Sequence, residues 1–458
     1  MNGGKTKEDI LAPIKVGEKI GYGLGDLGFN FFWANISAFL LIFYTDVFGI
    51  SAAAAGTMML VTKIFDAFTD PIMGAIADRT KTKWGKFRPY LLWAGIPMAA
   101  AGVLTYTTPD LQEGGKLIWA YGTYTFMMLM YTVLSVPYSA LSGVITARSQ
   151  DRTELISFRF IAAFTGTTLV NFFTLDLVDL LGKGDEKLGW QLTMGVYGIL
   201  AAILFAVVFF TTKERVTPPK EQKSDPIGDL KDLLKNKPWL VLFSLALIIM
   251  ITISMRAGAA IYYIKYYVNR PDLIKYFLTT YGLALAAGAA LTPVMTRFLD
   301  KKKLMMVLMT ITGVLSIAFF FIPSDAIWLM FTVNILIGLA LGPKSPLAFS
   351  MYADTADYTE WKMGRRATAM TFSAAIFSQK LGGALASFAI GAILAGMGYV
   401  ANEAQSNASQ TGIVVAFSLI PGVIALLAAY VMKFYTLDNA FLQKIQTELK
   451  ERKAAASN

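Results

Sequence analysis

The stretch MMLVTKIFDAFTDPIMGAIADR, residues 58–79, sets the reading of the whole chain. It is mostly apolar, and about 20 such residues are what a helix needs to cross a hydrocarbon core of about 30 Å. Yet it carries Lys63, Asp66 and Asp70. Residues three and four apart share one face of a helix. A charged side chain at mid-bilayer costs on the order of 2.5–3.5 kcal/mol, so such residues face an internal cavity rather than lipid. Two carboxylates at this spacing repel each other in a low-dielectric site. Either one takes a proton or a cation lies between or beside them. That is the requirement of a cation-coupling site. A static charge network that only packs helices is the alternative.

The rest of the chain has the same texture. Apolar residues make up 55% of its 458 residues and charged ones 16%, with a mean hydropathy of +0.53. A soluble protein is about 25% charged. Long apolar runs lie near residues 20–45, 53–77, 89–108, 117–146, 158–181, 190–212, 239–268, 274–298, 303–323, 326–352, 368–397 and 412–436. The expected fold is an all-α membrane protein with twelve transmembrane helices. The charged, Pro-containing segment 213–238 divides it into an N-terminal bundle (1–212) and a C-terminal bundle (239–436). Residues 437–458 form a tail with apolar residues at helical spacing, read as an amphipathic helix at the cytoplasmic surface. An echo supports duplication: Pro71 to Asp78 before one basic loop repeats the spacing of Pro293 to Asp300 before another.

Basic residues set the orientation. RTKTKWGKFR (79–88), DKKK (300–303), KMGRR (362–366) and seven Lys or Arg in 213–237 all fall on one side. The positive-inside rule places that side, and both termini, in the cytoplasm. The net charge of +10 is therefore a topology signal, and no nucleic-acid partner is expected. The polar N-terminus lacks the apolar core and small-residue cleavage site of a cleaved signal peptide. The chain has no Cys and no His. Disulfides, thiolate metal sites and Ser–His catalysis are excluded, and proton chemistry within the membrane falls to carboxylates.

Other charges lie inside the spans. Lys380, followed by Gly382 and Gly383, needs a counter-charge, for which Asp66 or Asp70 is the natural candidate. Arg159, Arg256 and Lys344, with Lys63 and Lys380, give five basic candidates against Asp26, Asp66 and Asp70. A surplus of positive charge favours an anionic substrate. Tyr131, Thr132, Ser135, Tyr138 and Ser139 make a polar aromatic stripe, and Tyr22, Asp26, Asn30 and Trp33 supply another. Aromatic faces with converging hydroxyls and amides suit sugars, although interhelical hydrogen bonding would produce the same pattern.

The combination GYGLGDLGFN (21–30), FYTDVFGI, FDAFTDPIMGAIADRTKTKWGKFRPYLL, VPYSAL (136–141), RTELISFRF (152–160), ADTADYTEWKMGRR (353–366) and Lys380 resembles the glycoside–pentoside–hexuronide:cation symporter family. That family is melibiose permease-like and belongs to the major facilitator superfamily. The resemblance spans both halves and implies two six-helix bundles that expose a central site alternately. It implies a cation site at Asp66, Asp70 and Thr132, with Thr69 where the melibiose carrier has an asparagine. Lys380 matches the family's span-eleven lysine, Lys63 and Lys380 being the coupling candidates. Arg159 matches a sugar-site arginine, and Tyr131 the tyrosine beside the threonine. Asn30 and Ser135 stand where that carrier has acidic sugar ligands, and Ser139 where it has a tryptophan. These departures argue against melibiose-like galactosides and for a uronate-bearing saccharide bound with help from Arg256 and Lys344. A neutral, xyloside-like glycoside is the alternative.

The expected protein is thus a monomeric sugar symporter of a bacterial inner membrane, driven by Na+ or H+, with no cofactor. It has no P-loop, metal-ligand spacing or other sign of an enzyme. A lipid transporter or scramblase of related fold is the competing class, and it would show an apolar opening continuous with lipid.

Overall fold

The computed structural model describes residues 14–146, 149–215, 234–363, 368–438 and 441–451, the last apart from 446 and 450. Most of the expected middle loop, the end of the KMGRR cluster and both chain ends therefore lie outside the described residues. The chain divides into two compact units, Met1–Gln222 and Lys223–Asn458. Among the described residues the only β pairing is a single bridge, Thr82 to Gly85.

In the first unit the principal helices are α1 (Val16–Ala38), α2 (Ala52–Arg79), α3 (Gly95–Thr105), α4 (Glu113–Ile145), α5 (Ser149–Gly182) and α6 (Glu186–Thr211). The first apolar run is not one straight rod. It breaks at Phe39 and continues through Leu40–Ile42 into a π-helical turn, Phe43–Phe48, with a bend of 55°. Gly49 closes it at φ +83°, a left-handed conformation that a side chain would resist. The third run is also divided, into Arg88–Trp93 and α3, at Ala94. Ser51 and Asp185 accept backbone N–H bonds at the starts of α2 and α6, as N-caps do.

Among the described residues, nine helices are long and apolar enough to cross a membrane, or ten if the bent first pair counts as one span. The protein is a multi-pass membrane protein of helical build. The stretch expected as the second of twelve spans forms α2, 28 residues long and laden with charge, which is not one of those nine. The third is the interrupted pair around Ala94.

The sorting of α2 is that of a membrane protein. Phe68 and Ile72 are 69% and 59% exposed, while Asp66 is 1% exposed. The apolar side faces outward and the charged side inward, the inverse of a soluble helix. Close approach of α1 to its neighbours explains two glycines of GYGLGDLGFN. A Cβ on Gly23 would lie 2.9 Å from the Phe158 carbonyl oxygen, and one on Gly25 would lie 2.5 Å from the Tyr138 ring.

At one end of this unit three consecutive residues after α6 form a clasp. Lys213 N–H donates to Glu18, and Arg215 grips the Glu18 carboxylate with both terminal nitrogens at 2.7 and 2.8 Å. Between them, Glu214 accepts the backbone N–H groups of Lys86, Phe87 and Arg88 at 2.9, 2.8 and 3.0 Å. The basic loop 79–88 is thus tied down through its backbone. On the same helix start, Lys19 pairs with Asp151 at 2.9 Å and Glu154 at 2.5 Å.

The second unit contains Lys237–Tyr262, Ile274–Phe298, Lys301–Phe319, Ile327–Leu341, Lys344–Met363, Thr368–Gly396, Asn407–Val414 and Ile420–Val431. Two π-helical turns, Tyr263–Tyr267 and Val415–Leu419, extend the first helix and join the last two. Lys301 pairs with Asp354 at 2.7 Å. Lys302 donates to the Lys433 and Tyr435 carbonyls, a cation satisfying the last carbonyls of a helix end. The tail packs on this unit: Leu442, Ile445 and Leu449 are buried, and Trp361 donates its indole N–H to Glu448 at 2.6 Å.

Replacing Glu214 by Ala strands three loop amides. The expected result is a stability loss of about 1–3 kcal/mol and faster trypsin cleavage after Lys83 or Lys86, read by limited proteolysis against the wild type.

Candidate functional site

Two polar centres stand in the first unit. The first joins α2 to α4. The Thr132 hydroxyl, fully buried, lies 2.7 Å from Asp66 Oδ1 and 3.0 Å from Asp70 Oδ1. A hydroxyl has one proton to donate and two lone pairs. It can donate to one of the two carboxylates at a time, so the pair shares a single hydroxyl proton. The Thr69 hydroxyl, expected here as an oxygen ligand, donates to the Asp66 carbonyl at 2.9 Å, so its proton is used within its own helix turn.

Lys63, one turn before Asp66, is buried with its ammonium 4.2 Å above the Trp33 ring and 3.9 Å from the Met128 sulfur. A cation over an indole face gains electrostatic stabilisation, the more so when desolvated. Among the described residues no cluster of three or more His, Cys, Asp or Glu could hold a metal ion. The donor set at Asp66, Asp70 and Thr132 is two carboxylates and a hydroxyl, hard oxygen ligands suited to a proton or an alkali cation and not to a thiophilic metal.

The second centre joins α1, α4 and α5. Arg159 Nε donates to Asp26 Oδ2 at 2.5 Å, and Nη2 lies 3.3 Å from Oδ1. The pair is partly exposed, at 24% for the arginine side chain and 16% for the aspartate. Tyr138 Oη reaches the same Asp26 oxygen at 2.8 Å and the Tyr22 carbonyl at 2.7 Å. Tyr22 returns a bond from its hydroxyl to the Tyr138 carbonyl at 3.0 Å. The two rings stack at 4.8 Å, and the guanidinium rests 4.7 Å above Tyr138. Asn30 is used at both ends: its amide donates to the Asp26 carbonyl and its oxygen accepts from Thr167. Tyr131 sits edge-on to Phe29 and tilted to Trp33, linking the aromatic wall toward Lys63. Ser135 is half-buried, and Ser139 is exposed.

The remaining expected residues belong to the second unit. Arg256 is 1% exposed. It donates to Asn334 at 2.9 Å and to the Phe417 carbonyl at 3.4 Å, with the Phe417 ring 4.5 Å from its guanidinium carbon. It is expected as a substrate contact, but the structure encloses it in aromatic packing. Lys344 is half-buried, and its ammonium lies 3.8 Å from the Met250 sulfur. Lys380 is half-buried. Thr167 and Met128 are the partners that sequence reasoning missed. Neither carries a motif, and only the packing of helices distant in sequence brings them to Asn30 and Lys63.

Charged pairs held inside a helical membrane protein, with a polar aromatic wall beside them, define a membrane transporter. The chain belongs to the MFS/sugar transport protein family, whose model matches residues 21–439. It is similar to the inner membrane symporter YicJ of Escherichia coli (strain K12), 38% identical over 98% of this chain and 97% of the relative. It is also similar to the isoprimeverose transporter of Lactiplantibacillus pentosus, 35% identical over 92% of this chain and 88% of that one. Its fold resembles the inward-open structure of the xylose transporter XylE from E. coli, with a TM-score of 0.68 over 94% of this chain and 98% of that one at 13% identity. The family expected from the span-two, loop and span-four motifs is the family found.

Thr132→Val removes the hydroxyl between the two carboxylates. It is expected to weaken stabilisation by Na+ or by acid at least tenfold in apparent affinity, while Thr132→Ser retains it. Thermal unfolding in detergent, titrated with NaCl and with pH, reads the difference.

Proposed function

We propose that this protein is a secondary glycoside:cation symporter of a bacterial inner membrane, with cytoplasmic termini and alternating access. It moves a saccharide inward with Na+ or H+. The observation that carries this reading is the convergence of two carboxylates, Asp66 and Asp70, on the one buried hydroxyl of Thr132. A group that needs a cation in one state and can release it in another is what ion coupling requires. The Tyr22–Asp26–Tyr138–Arg159 centre supports the saccharide half of the reading. Its Arg159–Asp26 donor–acceptor pair is partly exposed, and Tyr131 and Trp33 nearby are half-buried rings, a combination that matches the polar rim and apolar faces of a pyranose ring. The relatives' names, a symporter and an isoprimeverose transporter, support the same class.

The geometry favours a neutral glycoside. Arg159 already holds a carboxylate, Lys63 lies on an indole face, and Arg256 is enclosed. The surplus of positive charge counted along the sequence is thereby reduced. An acid-bearing saccharide is the second reading, and it rests on Lys344. No carboxylate faces that ammonium among the described residues, and its one polar neighbour is a thioether, a weak acceptor.

In proteoliposomes, Asp66→Asn and Asp70→Asn are each expected to abolish accumulation against a gradient while leaving sugar counterflow measurable. Uphill uptake at the wild-type level by the double variant would reject the coupling site. Lys344→Met is expected to weaken uptake of a glucuronide about tenfold more than that of a neutral xyloside if the acid reading holds, and equally if the neutral one does.

A further inference from the structure

We infer that Asp26 is the residue that sets the charge selectivity of the saccharide site, by acting as a resident counter-ion for Arg159. The inference rests on the glycoside reading above and names which class of glycoside the first unit accepts. An arginine fork is the natural receptor for a carboxylate, because its paired N–H groups match the two oxygens. Here that fork is filled from within the protein. Asp26 Oδ2 takes the Nε bond and Oδ1 lies near Nη2. Tyr138 fixes the same carboxylate through its hydroxyl, and its ring lies under the guanidinium, so both members are held in register by one side chain.

An incoming uronate would have to displace a carboxylate that is already bonded to Arg159 and Tyr138, and would leave Asp26 as an uncompensated charge. Stranding one partner of a partly buried ion pair is expensive. A neutral pyranoside meets no such barrier. Its hydroxyls can donate to the remaining lone pairs of Asp26 and accept from the guanidinium edge while the pair stays intact. Asp26 therefore denies Arg159 to acids and converts it into a hydrogen-bond donor for sugar oxygens.

The test uses the purified full-length protein and three probes that differ only at C5 of the ring: methyl β-D-xyloside, methyl β-D-glucoside and methyl β-D-glucuronide. Binding to wild type, Asp26→Asn, Asp26→Glu and Tyr138→Phe is measured by calorimetry at saturating Na+ and at low pH. Asp26→Asn is expected to raise the glucuronide-to-xyloside affinity ratio about tenfold or more. Asp26→Glu should restore the wild-type ratio, and Tyr138→Phe, which frees the carboxylate without removing it, should shift the ratio in the same direction by a smaller factor. A ratio unchanged or lowered in Asp26→Asn, in protein that still binds the xyloside, overturns the assignment and leaves the glycoside reading standing. Should Asp26→Asn fail to fold, Tyr138→Phe decides: an unchanged ratio there overturns the assignment. Binding of none of the three probes by wild type overturns the glycoside reading, and this assignment with it.

Discussion

Charge inside a low-dielectric bundle must be answered by charge or hydrogen bonds, and in the first unit that demand organises nearly every functional side chain. Asp66 and Asp70 converge on the Thr132 hydroxyl. Lys63 turns to an indole face and a thioether. Arg159 takes Asp26, and Lys19 takes Asp151 and Glu154. Each pairing crosses between helices, so the residues proposed to carry ions and sugar also hold the bundle together. The trio at Thr132 differs from the others in bringing two carboxylates to one hydroxyl, and the proposed coupling site rests on that convergence.

The two units answer the same demand differently. In the first, a guanidinium is matched by a carboxylate at a partly open surface. In the second, Arg256 has the Asn334 side chain, a carbonyl and a stack of rings. Neutral acceptors and aromatic quadrupoles stabilise a buried cation without offering it an exchange partner.

Much of this was legible in the sequence. Charged residues in apolar runs are costly, so Asp66 and Asp70 stood out and helical spacing put them on one face, while Thr132 joined them only through the family resemblance. The family was legible from the same motifs. Other features were not. Asp26 and Arg159 lie on different helices, and nothing local signals that they pair; counted singly, Arg159 looked like surplus positive charge. The enclosure of Arg256 among aromatic rings was not legible either, because burial in packing leaves the same apolar sequence context as a cavity. The bend after Phe39 and the break at Ala94 were hidden because membrane helices tolerate interruptions when neighbours satisfy the freed backbone groups.

The clasp made by Lys213, Glu214 and Arg215 has a consequence for the covalent tether between the units. The chain does not become slack when α6 ends, because three residues remain moored to α1 and to the basic loop. The far end is moored as well: Asn236 is fully buried, caps the next helix and reaches Thr355 and Thr359. Both edges that flank the middle segment are thus fastened by side chains of the units themselves, so an insertion at 213–215 or at 236 would unfasten a helix end.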